Sequence, residues 1–225
     1  MSPKPRIVLI HATRVAIDPI ESAMAELWPE AEAVNLLDES LALDRTKSTA
    51  VTPELTERIA TLGRHAEVIG AEGILYTCSA FGLAVETVAK QAHVPVFKPN
   101  EAMFAGAFEH GGRVALIHTF RPAAASMIEE FEAEAKARGV SARINSFFCD
   151  GALTQLQQGK ADQHDALIAQ TVAGITDFDV IMLAQFSMAR AGLACREKTA
   201  IPVLTSPEAA VLTLKQVVGR GRRTC

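Results

Sequence analysis

Arg6-Ile7-Val8-Leu9-Ile10-His11-Ala12-Thr13-Arg14 and Arg113-Val114-Ala115-Leu116-Ile117-His118-Thr119-Phe120-Arg121 are two versions of one segment. Five of their nine positions are identical, at an offset of 107 residues. The same offset relates Val94-Pro95-Val96-Phe97, with Glu101-Ala102 beyond it, to Ile201-Pro202-Val203-Leu204 with Glu208-Ala209. Two matches at one spacing, near the start and the end of each half, imply a duplicated unit. The intervening stretch agrees in pattern, Gly73-Ile74-Leu75-Tyr76-Thr77 aligning with Val180-Ile181-Met182-Leu183-Ala184.

The repeated segment also sets the class of secondary structure. Apolar runs at 6–11, 73–77, 94–97, 113–118, 179–184 and 201–204 are continuous rather than alternating. That is the pattern of strands covered on both faces, as in parallel sheets. Weaker strands are expected at 31–36 and 142–148. Helical stretches lie between them. One begins at Pro53 behind Thr52, a residue suited to capping. Another runs from Pro122 to Gly139, a natural helix stop. Strands alternating with helices predict an α/β fold. The repeat makes it two pseudo-symmetric parallel-sheet α/β halves, with the active site expected in the cleft between them. We place the halves at 1–98 and 99–225, with the C-terminal helix packing back on the first.

Composition narrows the function classes. The chain has 225 residues, 49% of them hydrophobic, enough for a substantial core. The net charge of −4 argues against nucleic acid, whose phosphates demand a basic face. The basic tail Arg220, Arg222, Arg223 reads as a solvated end. No apolar run reaches the ~20 residues needed to span a bilayer, so no membrane association is expected. The start of the chain lacks the pattern of a signal peptide. The cysteines Cys78, Cys149, Cys195 and Cys225 form no C-x-x-C pair, zinc pattern or disulfide framework. A reducing, cytoplasmic setting is the expectation. No dinucleotide or phosphate-loop pattern appears; Gly219-Arg220-Gly221 is too short.

Ligands of parallel α/β sheets sit beyond the carboxyl ends of the strands. The segments that follow the strands are therefore the candidates: His11 to Arg14, Cys78 to Gly82, Lys98 to Glu101, Thr119 to Arg121, Gln185 to Met188 and Thr205 to Pro207. Within them, Thr77-Cys78-Ser79-Ala80-Phe81-Gly82 carries the most chemistry. A cysteine between a buried strand and a helix meets unpaired N–H groups and a partial positive charge. Both favour the thiolate, so a lowered pKa is expected. The N–H groups of Ser79 and Ala80 are placed to hold a carboxylate. A buried structural cysteine is the competing reading. The repeat puts Gln185 at the position equivalent to Cys78, with N–H donors from Phe186 and Ser187. Helix capping is the plain alternative for Gln185.

Ile74-Leu75-Tyr76-Thr77-Cys78-Ser79-Ala80-Phe81-Gly82 and Leu183-Ala184-Gln185-Phe186-Ser187-Met188 resemble the aspartate/glutamate/hydantoin racemase superfamily, over nearly the whole chain. The resemblance implies two pseudo-symmetric α/β halves and no cofactor. It implies one cysteine per half, one removing the α-proton and the other returning it. Cys78 matches the first cysteine. Gln185 stands at the second, and an amide exchanges no such proton. Arylmalonate decarboxylases, which keep one of the two cysteines, and maleate isomerases belong to the same superfamily. The implied catalytic residue is Cys78. The implied substrate-binding residues are His11, Thr13, Ser79, Ala80, Thr119, Phe120, Gln185, Phe186 and Ser187, with the Thr13 and Thr119 hydroxyls as donors to carboxylate oxygens. The substrate would be a small carboxylate or cyclic amide, and a homodimer is compatible with the family.

Other residues carry less. His11 and His118 are repeat equivalents, which suggests a shared structural role, with His11 the better catalytic candidate. His164-Asp165 reads as an exposed helix start, since a metal site needs more ligands nearby. Cys149-Asp150 stands near a strand end, Cys195 and Cys225 read as incidental, and Lys98 as an anion binder. The leading reading is a racemase or isomerase acting next to a carboxylate or carbonyl. A single-cysteine lyase, such as a decarboxylase, or a hydrolase is the alternative. A non-catalytic small-molecule binding protein stands as a further one, since fold alone does not establish catalysis.

Overall fold

The structure is a computed structural model that describes residues 4–48 and 50–223. Cys225 lies outside the described residues, as do the side chains of Arg222 and Arg223. The chain divides into two compact units, residues 1–102 with 210–225, and residues 103–209.

The first unit holds β1 (Arg6–His11), α1 (Ile17–Leu27), β2 (Glu32–Leu37), α2 (Glu39–Arg45), α3 (Pro53–Val68), β3 (Gly73–Tyr76), α4 (Gly82–Gln91) and β4 (Val96–Phe97). Then come α5 (Glu101–His110), β5 (Arg113–His118), α6 (Arg121–Arg138), β6 (Arg143–Phe148), α7 (Ala152–Gln157), α8 (Ala161–Ala173), β7 (Val180–Leu183), α9 (Gly192–Arg196) and β8 (Val203–Thr205). The last helix, α10 (Ser206–Arg223), belongs from Ala210 onward to the first unit. Among the described residues no helix is long and apolar enough to cross a membrane.

Each unit carries one four-stranded sheet, in the order β2-β1-β3-β4 and β6-β5-β7-β8. All pairings are parallel. The register repeats with the sequence. Ile7 pairs with Gly73 as Val114 pairs with Val180, and Ile74 with Val96 as Ile181 with Val203. The offset breaks only at β2 and β6, one edge of each sheet, where Arg6 meets Glu32 but Arg113 meets Arg143. The longer α6 absorbs the difference.

Strand burial explains the strength of each sequence signal. The inner strands β1, β3, β5 and β7 are buried almost throughout. Side chains there, such as Ile7, Leu9, Ile74 and Ile117, are wholly enclosed, each burial stabilising by about 1.5–3 kcal/mol. The edge strands β2 and β6 are half covered, so polar residues interrupt their apolar runs. β4 and β8 start later than the apolar runs 94–97 and 201–204. Pro95 and Pro202 lack an N–H and offer only a carbonyl, which accepts from the Ile74 and Ile181 N–H groups. The helix signals hold in detail. Thr52 Oγ1 accepts from the Leu55 N–H, capping α3. Gly139 closes α6 at φ +68°, a left-handed conformation that glycine adopts without strain.

Candidate active site

In the first unit the candidates gather at the carboxyl ends of β1 and β3, which are hydrogen-bonded neighbours. β3 stops at Tyr76, and Thr77 and then Cys78, in extended conformation, follow. One 3-10 turn, Ser79–Phe81, then leads into α4 at Gly82. The sequence suggested a helix directly after Cys78; a single tighter turn stands between. Phe81, 1% exposed, anchors that turn in the core, while Ser79 and Ala80 remain exposed.

Cys78 is half-buried, and its sulfur takes a hydrogen bond from the Ala80 N–H. Arg45, at the end of α2, donates through Nε to the Ala80 carbonyl at 3.3 Å and through Nη1 to Ser48 O at 2.7 Å. Burial pushes the Cys78 thiol above its ordinary range, and the Ala80 N–H and the Arg45 charge oppose that push. Burial wins, which corrects the lowered pKa expected from the sequence. Removing a charge-solvating shell outweighs one N–H and one nearby cation. At neutral pH the group rests as a thiol.

His11 is fully enclosed, with both ring nitrogens engaged. Asn35 Nδ2 donates to Glu21 Oε1 at 2.6 Å, which turns Asn35 Oδ1 toward His11 Nε2 at 2.9 Å. That oxygen only accepts, so Nε2 carries the hydrogen. Nδ1 is then the acceptor for the Thr77 hydroxyl at 2.8 Å. Burial lowers the His11 pKa, against the hydrogen bond to Asn35 and the charge of Glu21. His11 is thereby a neutral ring that fixes the residue next to Cys78. Thr13 is half-buried and its side chain caps nothing in the turn Arg14–Ala16.

The second unit gathers Thr119, after β5, and Gln185, after β7. Cys78 and Gln185 each lie two residues beyond an inner strand and each begins a 3-10 turn. Gln185 does not cap its turn, Phe186–Ala191. Its Oε1 instead accepts from the Thr119 backbone N–H at 3.0 Å and from Thr119 Oγ1 at 3.1 Å. The Thr119 hydroxyl is thus committed within the protein. Gln185 Nε2 is buried and has no hydrogen-bond partner among the described residues. Phe186 and Ser187 are half-buried, and Phe120 is exposed. His118 differs from His11 because Ala184 stands where the first unit has Thr77. Among the described residues its Nδ1 is buried without a hydrogen-bond partner, and burial, then the Arg121 charge, lower its pKa against the Phe120 backbone.

The lesser candidates disperse. Lys98 pairs with Glu86 at 2.8 Å. His164 is not exposed but wholly buried: at the start of α8 it shares the inward stripe with Ile168 and Val172. Its Nδ1 meets Asp165, which also binds Arg190. Cys149 is buried, its sulfur accepting from the Thr171 hydroxyl. Cys195 is enclosed, and burial pushes its thiol up to about 12. Among the described residues no three His, Cys, Asp or Glu side chains are grouped to hold a metal. Sequence reasoning missed Asn35 and Arg45. An asparagine inside the apolar run Val34–Leu37 was a legible signal. Arg45 left none, since its approach to Ala80 arises from tertiary packing.

Residues 10–211 match the family described as Asp/Glu/Hydantoin racemase. Among solved structures the chain is similar to the aspartate racemase of Picrophilus torridus, at 17% identity over 96% of this chain and 94% of that one, TM-score 0.68. It is similar to the allantoin racemase from Klebsiella pneumoniae, at 17% identity over 97% and 89%, TM-score 0.66. A liganded mutant of arylmalonate decarboxylase aligns at 16% identity over 97% and 94%, TM-score 0.62. At such identities the structural likeness is one of fold. No curated protein matches the chain in sequence.

Proposed function

Because the chain belongs to the Asp/Glu/hydantoin racemase family, we propose that it is a cofactor-independent enzyme of the racemase or isomerase type. It acts on the carbon next to a carboxylate or carbonyl of a small acid or cyclic amide, and Cys78 is its proton-transferring group. One observation carries this reading: a half-buried thiol at the carboxyl end of an inner strand, with the Ala80 N–H and the Arg45 charge set to stabilise its conjugate base.

The chemistry follows from that setting. When a thiolate takes the α-proton, the C–H electron pair moves into the carboxylate as an enediolate. Return of the S–H proton to carbon restores the C–H bond and leaves the thiolate. Developing charge on the sulfur meets the Ala80 N–H and Arg45, and charge on the substrate needs preorganised donors of its own. The exposed Ser79–Ala80 backbone is the candidate in the first unit.

A second reading, a single-thiol lyase, is favoured by two features. Gln185 occupies the position equivalent to Cys78, and burial keeps Cys78 protonated at rest. In a decarboxylation the C–C bond breaks, carbon dioxide leaves, and its electron pair forms the enediolate. Cys78 then protonates carbon directly.

The test is an NMR screen in deuterated water of small chiral acids, malonates, maleate and hydantoins. It reads α-proton exchange, decarboxylation and isomerisation together. We expect turnover of one of these classes, abolished by Cys78→Ala without loss of fold by circular dichroism. A folded Cys78→Ala protein that keeps most of the activity overturns the assignment.

A further inference from the structure

We propose that Gln185 is a ligand-binding donor of the second unit, whose amide N–H meets an oxygen acceptor of a small molecule, a carboxylate or an amide carbonyl. The inference goes beyond the Cys78 chemistry and gives the second unit a binding role of its own.

The argument begins with the orientation of the amide. The oxygen and nitrogen of a glutamine are told apart only by their partners. Here the assignment is forced. A backbone N–H can only donate, and the Thr119 N–H points at one end of the Gln185 amide from 3.0 Å. That end is therefore the oxygen, and the Thr119 hydroxyl reinforces it at 3.1 Å. With Oε1 held by two donors, Nε2 can present only N–H groups.

Those N–H groups are unmet. Nε2 is buried and has no hydrogen-bond partner among the described residues. A buried amide without an acceptor is costly, and native proteins keep few of them. An apolar residue of similar size would avoid the cost if packing were the only role. The polar end is thus best explained by an acceptor that binds there. The position adds the second argument. Gln185 follows inner strand β7 just as Cys78 follows β3, at the strand ends where ligands of parallel sheets bind. An amide cannot titrate near neutral pH, so it orients a ligand oxygen and supplies no proton to carbon. Thr119 then acts as a positioning residue that holds the oxygen and leaves the N–H end for the ligand.

The experiment measures binding, independent of turnover. Malonate and hydantoin are titrated by calorimetry into Cys78→Ala protein, so no reaction intervenes. We expect at least one to bind saturably. Gln185→Glu keeps an oxygen for Thr119 but puts a carboxylate in place of the N–H. It should weaken malonate by about tenfold or more, the size expected for losing a hydrogen bond to a charged group. Hydantoin, whose own N–H groups can meet the new carboxylate, should lose less; binding of hydantoin alone would mark the carbonyl as the acceptor. Thr119→Val should weaken the same probe, and Thr119→Ser should restore it. Unchanged affinity in folded Gln185→Glu, or no binding of either probe to the parent protein, overturns the inference. Gln185-dependent binding in a protein whose activity survives Cys78→Ala would refute the Cys78 mechanism and leave this role standing.

Discussion

Replacing His11 by leucine tests the idea that a neutral, buried imidazole holds the strand end beside Cys78. The side chain is wholly enclosed and makes two hydrogen bonds, to Thr77 Oγ1 and Asn35 Oδ1. Each such bond contributes about 0.5–1.5 kcal/mol net, and a buried acceptor left unpaired costs about 1–3 kcal/mol. The Thr77 hydroxyl can fall back on the Ile10 carbonyl, 3.3 Å away, so the group that loses its partner is Asn35, which is half-buried. The expected loss is therefore about 1–3 kcal/mol at pH 8. Burial lowers the His11 pKa in the folded chain, below the ~6.5 of an unfolded histidine. Between those two values the unfolded chain binds the extra proton, so the His11 contribution is intact above ~6.5 and is lost as pH falls through the folded pKa. The leucine variant lacks this term, so its deficit should shrink from pH 8 to pH 5.5. His118 is depressed as well, but it titrates in both proteins and cancels. Trp28, the single tryptophan, lies buried in the first unit and reports urea unfolding there by fluorescence. A loss below about 0.5 kcal/mol, well under one such bond and one orphan, would refute the reasoning. So would a deficit that stays constant or grows with acid.

Gly63→Ala should lower the unfolding midpoint by thermal denaturation. A Cβ there would sit 2.7 Å from Val88 Cγ1 and 2.8 Å from the Tyr76 hydroxyl, overpacking worth about 1–3 kcal/mol. Arg45→Met should move the pH midpoint of Cys78 alkylation by iodoacetamide upward, since a cation that opposes the effect of burial is gone. An unmoved midpoint would show that Arg45 does not act on the thiol.

The fold was legible because two signals agreed. Continuous apolar runs marked the inner strands, and the offset of 107 residues gave both sheets one order. The edge strands were faint since half their residues meet water, and prolines 95 and 202 shortened the outer ones. The candidate site was legible as positions on the fold, not as states. The strand ends located Cys78 and Gln185. Whether a thiol is raised or lowered depends on a balance of burial, one N–H and Arg45, and that balance is set by packing. His164 shows the same limit. A polar residue in a first helical turn reads as exposed, yet its place on the Ile168–Val172 stripe buries it. Gln185 was taken as a possible cap, and only the approach of Thr119 reveals that its oxygen is committed and its nitrogen is not.

The central claim is that one thiol moves protons to and from carbon. Its most direct measurement is the position of deuterium in product formed in deuterated water, read by NMR with a chiral shift reagent. The account predicts that delivery of deuterium to one face of the carbon by wild-type protein is lost in folded Cys78→Ala. Labelling of both faces that survives the loss of Cys78 would contradict it.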